Sequence, residues 1–194
     1  MYKQRAQDLK ALKVDIVDLD CDNLKDAPEW ESYPFSCKYC IYWEFPEERI
    51  DPLKESKESL FERKLCWLRS TIGEFGICGK IAYANNRPAG YAEYAPPKLI
   101  PNSYGYKSGP PSDDAVFISC LFIPNREFRG LGLGSQILRC IIDELKRRRV
   151  KAVETFARRG SPENPSGPLE FYLKNGFKIL RDDPEFPLVR LELF

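Results

Sequence analysis

Three observations in this sequence predict a one-domain α/β fold built on a sheet of mixed strand direction. Strand-like and helix-like hydrophobic periods alternate along the chain without an internal repeat. One apolar run, Val116 to Ile123, leads through a glycine-rich hexapeptide into an amphipathic helix pattern. The length, 194 residues, is enough for one hydrophobic core and short of two full domains.

In chain order, Val14 to Leu19 has strand character, closed by the turn residues Asp20-Cys21-Asp22-Asn23. Asp22 or Asn23 is placed to cap a short helix through Trp30. About 31–52 is an irregular elaboration rich in cysteine, proline and aromatics, containing Cys37-Lys38-Tyr39-Cys40 and Tyr42-Trp43-Glu44. Leu53 to Ile72 has the period of a long helix. Leu60, Phe61, Lys64, Leu65, Leu68 and Ile72 share one face, and Gly73 and Gly76 close it. Ile77 to Ala84 and Ala89 to Ala95 are strands about Asn85-Asn86-Arg87-Pro88, a hairpin signal. Pro96 to Pro111 is a loop long enough to be functional or mobile.

Ala115 to Ile123 is the apolar strand, ended by Pro124, which cannot donate to a ladder. The helix after the glycines buries Ile137, Leu138, Ile141, Ile142 and Leu145, and Lys146-Arg147-Arg148-Arg149 suits its negative end. Val150 to Phe156 is a further strand. After a turn from Gly160 to Gly167, Pro168 starts a short helix through Lys174 that Asn175-Gly176 stops. Phe177 to Leu180 and Leu188 to Leu193 make a closing hairpin.

Composition excludes several classes of function. The chain is 43% apolar and 30% charged with a formal charge of +1, which reads as soluble and argues against a broad nucleic-acid or membrane surface. No apolar stretch approaches the ~20 residues of a transmembrane helix, and no secretory signal opens the chain. Seven scattered cysteines, an odd count, point to reduced thiols and a cytoplasmic setting. There is no histidine, which removes Ser-His-Asp and Cys-His catalysis and any imidazole base. Acid–base chemistry is left to carboxylates, tyrosine, lysine, cysteine or water.

The hexapeptide Arg129-Gly130-Leu131-Gly132-Leu133-Gly134 is the centre of the functional reading. Glycines expose backbone N–H groups, and the helix start adds unpaired donors and a positive dipole end, so the unit suits a phosphate or pyrophosphate. It is not a Walker loop, because Ser135-Gln136 replaces the Lys-Ser/Thr pair. It departs from a dinucleotide fingerprint, because Ser135 sits where a third glycine is wanted. A connection without a ligand is the plain alternative.

The spacing of Arg129, Gly132 and Gly134 resembles the pyrophosphate loop of the GNAT superfamily of acyl-CoA-dependent N-acyltransferases. Roughly 40 residues on, Phe171-Tyr172-Leu173-Lys174-Asn175-Gly176-Phe177 is similar to the aromatic-Tyr-x-x-x-Gly-Phe segment of those enzymes. The resemblance covers Ile77 to the C-terminus well, and Val14 to Ile72 in pattern alone. It implies a GNAT-like mixed, mostly antiparallel central sheet flanked by helices, in a single domain over 1–194. It also implies an acetyl-CoA donor. Backbone groups of Cys120, Leu121, Phe122 and Ile123 would pair with the pantetheine arm. The N–H groups of Arg129, Gly130, Leu131, Gly132, Leu133, Gly134 and Ser135 would hold the pyrophosphate. Asn164 matches a position that contacts the cofactor, and Tyr172 matches the acid that protonates the leaving thiolate. A tyrosine of ordinary pKa, ~10, is protonated at neutral pH and suits that role. The alternative for Tyr172 is core packing.

Glu93, in the second hairpin strand, is the first candidate for the base that deprotonates the amine, directly or through water, with Asp113, Asp114 and Glu154 behind it. A solvated surface carboxylate is the plain alternative. Cys37 and Cys40 read as a redox pair or two packed thiols rather than half a zinc site, since no second pair and no histidine completes one, and no metal is expected. Tyr39, Tyr42 and Trp43 either line an acceptor pocket with the 96–111 loop or pack as a lid. The activity expected is transfer of an acetyl group to a primary amine, on a small molecule or a peptide. The runner-up is a catalytically silent acyl-CoA-binding module. A nucleic-acid substrate has only Lys146–Arg149, Arg158 and Arg159 behind it. A homodimer stays open.

Overall fold

The computed structural model describes residues 13–30, 36–46, 54–160 and 163–194. The strands are β1 (Val14–Asp18), β2 (Gly79–Ala84), β3 (Arg87–Ala95), β4 (Ala115–Phe122), β5 (Ala152–Phe156), β6 (Lys178–Arg181) and β7 (Leu188–Glu192). The helices are α1 (Lys57–Phe75), α2 (Leu133–Arg147) and α3 (Leu169–Lys174), with short 3-10 turns between. One sheet holds the strands in the order β1-β2-β3-β4-β5-β7-β6. Every neighbouring pair is antiparallel except β4 and β5, which α2 connects as a crossover. The mixed, mostly antiparallel sheet expected from the sequence is the one found.

Two apolar layers cover the sheet. On one face α2 sets Ile137, Leu138, Ile141 and Leu145, all buried, against Ala82, Ala84, Ala92, Val116 and Ile118. Each such side chain contributes about 1.5–3 kcal/mol on leaving water. On the other face Leu68 of α1 lies in a cluster with Leu19, Cys78, Ile81, Tyr91, Cys120 and Phe122. Alternation along β2 explains the division, with Ile81 in one cluster and Ala82 in the other. A third, aromatic cluster of Trp43, Phe117 and Phe156 with Ile100 and Leu188 sits beside β4 and β5.

Several boundaries differ from the sequence reading. The helix expected after Asn23 is one 3-10 turn, Leu24–Asp26, because Pro28 forces Ala27 into an extended conformation (ψ 133°). Leu53, the expected start of α1, lies outside the described residues. The described helix is capped at Ser56, whose hydroxyl accepts the Ser59 N–H at 3.1 Å. It runs through Gly73 and ends at Gly76. The 96–111 loop is tied down rather than loose. The Trp67 indole donates to Leu99 O at 2.9 Å, Asn102 to Tyr42 O at 2.8 Å and Arg181 Nε to Ser108 O at 2.7 Å. Parts of the 31–52 elaboration (31–35 and 47–52) and of the Gly160–Gly167 turn (161–162) lie outside the described residues.

Candidate active site

The wedge between β4 and β5 organises the site. The two strands stay in register only from Ala115–Ala152 to Phe117–Glu154. Beyond that they part. The Ile118 carbonyl accepts from Thr155 Oγ1 at 2.8 Å, and the Leu121 N–H donates to Pro165 O at 2.9 Å. On its other edge β4 stays paired with β3 through an irregularity that passes over Ser119, between the Glu93–Cys120 and Tyr94–Ile118 pairs. Such a bulge re-aims the strand's backbone and side chains. Cys120, Leu121 and Phe122 thus lie where β4 has left β5, with Ile123 just past the strand's end. The Leu121 N–H is already engaged, so a ligand amide would have to replace Pro165 there.

From β4 the chain passes through a 3-10 turn, Arg126–Phe128, whose first N–H groups are met by Asn125 Oδ1 on Glu127 N at 3.0 Å. Gly130 (φ +73°) and Gly132 (φ +78°) then adopt the left-handed conformation, and Gly132 is the N-cap of α2. A Cβ at either would meet no atom within 4 Å, so the space in front of the loop is open. The N–H groups of Leu133, Gly134 and Ser135 open a 15-residue helix and have no carbonyl partner within it. They are donors for an anion.

Arg129, expected to offer its N–H to the pyrophosphate, is engaged within the protein. Its backbone N–H donates to Arg126 O at 3.1 Å. Its guanidinium donates to Ile123 O at 2.7 Å and Pro124 O at 3.0 Å, and pairs with Glu163 at 2.8 Å. The side chain staples the end of β4 to the 163–167 loop.

Tyr172 of α3 is fully buried. Its ring packs between Phe171 and Phe177 at centroid distances of 5.1 and 5.2 Å. Its hydroxyl makes no hydrogen bond among the described residues. Burial pushes the phenol above its ordinary range, Thr155 offsets part of that, and Cys120 adds to it, so it is protonated at neutral pH. Gly167 (φ +75°) allows the approach, since a Cβ there would come within 3.3 Å of Tyr172 Oη. An unpartnered buried hydroxyl costs about 1–3 kcal/mol and calls for a reason.

On the other side of β4 is a cavity of about 500 Å³. Its walls are aromatic residues of the 36–46 segment (Tyr39, Tyr42, Trp43, Phe45), together with Tyr106 and Phe186. Cys120, Asn164, Pro165 and Ser166 line it on the β4 side. Asn164 accepts the Ser166 N–H at 2.9 Å through its side chain. The structure therefore brings the sequence's Asn164, Cys120 and aromatic segment to one space.

Glu93 is fully buried and enclosed. Its carboxylate accepts from Ser119 Oγ and from Tyr91 Oη, both at 2.8 Å. Lys64 Nζ lies 2.5 Å from Glu93 and 2.5 Å from Glu44, and all three side chains are out of solvent. Two carboxylates against one ammonium leave an excess negative charge that a proton relieves. Burial, with Glu93 beside it, lifts Glu44 to about 8 despite the opposing Lys64. Glu93 is held below its ordinary value, because Lys64 and its hydrogen bonds outweigh burial. Lys64 stays charged, since the two carboxylates outweigh its own burial. Glu44 and Lys64 were not singled out as site residues, although a lysine in the apolar stripe of α1 was a visible signal. Glu154 and Asp114 are engaged elsewhere, paired with Arg190 at 2.7 and 2.9 Å. Asp113 is exposed.

The sulfurs pair differently from the C-x-x-C spacing. Cys37 Sγ lies 3.8 Å from Cys120 Sγ, and both thiols line the cavity with Cys40. Burial and the nearby Glu44 push the Cys40 thiol up to about 12. Among the described residues no group of three or more His, Cys, Asp or Glu is placed to hold a metal. Diamide, which takes up two thiol hydrogens, should therefore join Cys37 to Cys120 in preference to Cys40. Peptide mapping checks this, with a 37–120 cross-linked peptide as the expected product.

A family model, the acetyltransferase (GNAT) family, matches residues 37–177. The chain belongs to the GNAT family. A sequence search of curated proteins finds no match. Solved structures of the fold are many. The paia N-acetyltransferase of Thermoplasma acidophilum, solved with coenzyme A, has a TM-score of 0.55 at 15% identity, over 93% of this chain and 99% of that one. The putative acetyltransferase yncA of Salmonella typhimurium, solved with acetyl-CoA, has a TM-score of 0.57 at 13% identity, over 94% and 95%. The ribosomal-protein-S18-alanine N-acetyltransferase of Escherichia coli has a TM-score of 0.52 at 15% identity, over 93% and 94%. The wedge, the glycine loop and Tyr172 all fall within the matched residues. Among the described residues no helix is long and apolar enough to cross a membrane.

Proposed function

We propose that this GNAT chain transfers an acetyl group from acetyl-CoA to a primary amine by direct attack on the thioester. The observation that carries the reading is Tyr172, whose buried, protonated, unpartnered hydroxyl lies against Gly167, next to the Ser166 that lines the cavity with Cys120. A leaving thiolate gives that hydroxyl the partner it lacks. Leu131 to Ser135 fit a pyrophosphate, since the space at Gly132 is open and the N–H groups of Leu133, Gly134 and Ser135 have no partner within the helix they begin. The pantetheine arm would run along Cys120 to Ile123 once Pro165 gives up Leu121.

The amine enters from the cavity side and meets the thioester near Cys120, so the two reactants are held side by side. Backbone N–H groups near Leu121 or Phe122 polarise the carbonyl. Glu93 takes the amine's proton through Ser119, which adjoins Cys120, or through water, because its own carboxylate is enclosed. The proton gained there balances the one that Tyr172 gives to sulfur.

Turnover measured as thiol release tests the reading across amines. Gly132→Ala should weaken acetyl-CoA binding about tenfold, because an alanine avoids the left-handed N-cap conformation, which costs it about 1–2 kcal/mol, by shifting the loop whose N–H groups would hold the phosphate. Calorimetric titration of acetyl-CoA checks it.

A further inference from the structure

The cavity beside Cys120 has a chemistry of its own. Six of its lining side chains are aromatic, and Trp43, Tyr106 and Phe156 form a stack at centroid distances of 5.4 and 4.3 Å, with interplanar angles of 18° and 8°. Tyr42 stands edge-on to Trp43 at 5.2 Å and is 51% exposed. No charged side chain lies among the described residues that line the cavity. Charges lie behind the lining: Glu44, between Trp43 and Phe45, is bound to buried Lys64. Lys38 and Lys57 sit over the Tyr39 ring, Arg63 over Phe45 and Arg158 over Phe186, and each of these four cations is paired with a carboxylate.

We propose that the acceptor is a primary amine carried on a flat aromatic body with no carboxylate or phosphate, an arylalkylamine. The proposal rests on the acetyl-transfer reading and specifies its substrate. A volume of about 500 Å³ takes one or two fused rings and a short linker. The ring lies among Tyr42, Tyr106 and Phe186, where offset and edge-on contacts with aromatic walls favour flat bodies over flexible chains. The amine end points toward Cys120, the side on which Tyr172 and the parting strands lie. The aromatic lining carries no charged side chain that would repel an amine head. A carboxylate on the same ligand would meet no charged side chain in the lining, and the cations behind the rings are already paired with carboxylates, so its desolvation would go uncompensated.

The test uses the whole chain with acetyl-CoA and measures thiol release with 2-phenylethylamine and tryptamine. Phenylalanine and tryptophan supply the same rings with a carboxylate. Hexylamine, spermidine and a short peptide with an apolar N-terminus supply an amine without the ring. The expected kcat/KM for the arylalkylamines is at least about 100-fold above the amino acids and about tenfold above hexylamine. Trp43→Leu should lower tryptamine kcat/KM about tenfold while the acetyl-CoA melting shift stays. Should that variant fail to fold, Tyr42→Ala, at a half-exposed ring, should lower the same ratio severalfold. Equal or better rates with spermidine, the amino acids or the peptide overturn the proposal, as does an acetyl-CoA shift without acetylation of either arylalkylamine. Loss of the acetyl-CoA shift itself overturns the acetyl-transfer reading, and the two failures are thereby told apart.

Discussion

Tyr172→Phe should lower kcat by about 100- to 1,000-fold, the range that a positioned general acid supplies, while the acetyl-CoA dissociation constant stays within about twofold. The same variant should be as stable as the parent or more stable by about 1 kcal/mol, because it removes a buried hydroxyl that has no protein partner. The two effects run in opposite directions, which separates catalysis from packing. A tyrosine kept for the core alone would give unchanged kcat. Stopped-flow turnover and a denaturant titration on one preparation measure both.

Lys64→Met should cost about 3–5 kcal/mol, the penalty for leaving buried carboxylates without their counter-charge, and lower Tm by about 10 °C. Lys64 is the shared partner of Glu44 and Glu93, so one substitution strands both. Replacing all three at once, with Glu44→Gln and Glu93→Gln added, should recover most of the loss, because no stranded charge remains. The pH dependence follows from the same cluster. Folding lifts Glu44 from 4.5 to about 8, so the folded chain keeps a proton that the unfolded chain has lost. Its contribution is fully present below pH 4.5 and declines as pH rises toward 8. Glu93, held down by Lys64, acts in the opposite sense, contributing above its unfolded value and losing that as pH falls through the folded one. Glu44→Gln should therefore flatten the fall in Tm between pH 5 and 8, which melts across that range would show.

What was legible in the sequence was what local chemistry fixes. The Asn85–Pro88 turn named the hairpin, an unbroken apolar run ended by Pro124 named β4, the apolar stripe named α2, and the glycine spacing placed the loop at its start. Pairings that depend on the fold were not legible. Cys37 seemed tied to Cys40 by spacing, yet its neighbour is Cys120, 83 positions away. Arg129 read as a donor to the pyrophosphate, but its N–H is taken by Arg126 O, and its guanidinium staples the end of β4 to Glu163. Glu93 read as a base or a surface group; it is no surface group but one corner of a buried ionic cluster. Its partners come from α1 and from the irregular 36–46 segment, whose path no periodicity encodes. Lys64 was the one clue, a charged residue on the buried face of a helix.

The central claim, that acetyl-CoA is the ligand of the Leu131–Ser135 loop, is tested most directly by a thermal melt. The melt is run with acetyl-CoA, with NADH and with ATP. At about 100 times its dissociation constant a ligand adds about 2.7 kcal/mol, which moves Tm by roughly 5–10 °C in a chain of this size. The account predicts that shift with acetyl-CoA alone. A shift with NADH or ATP instead, or none with any of the three, would contradict it.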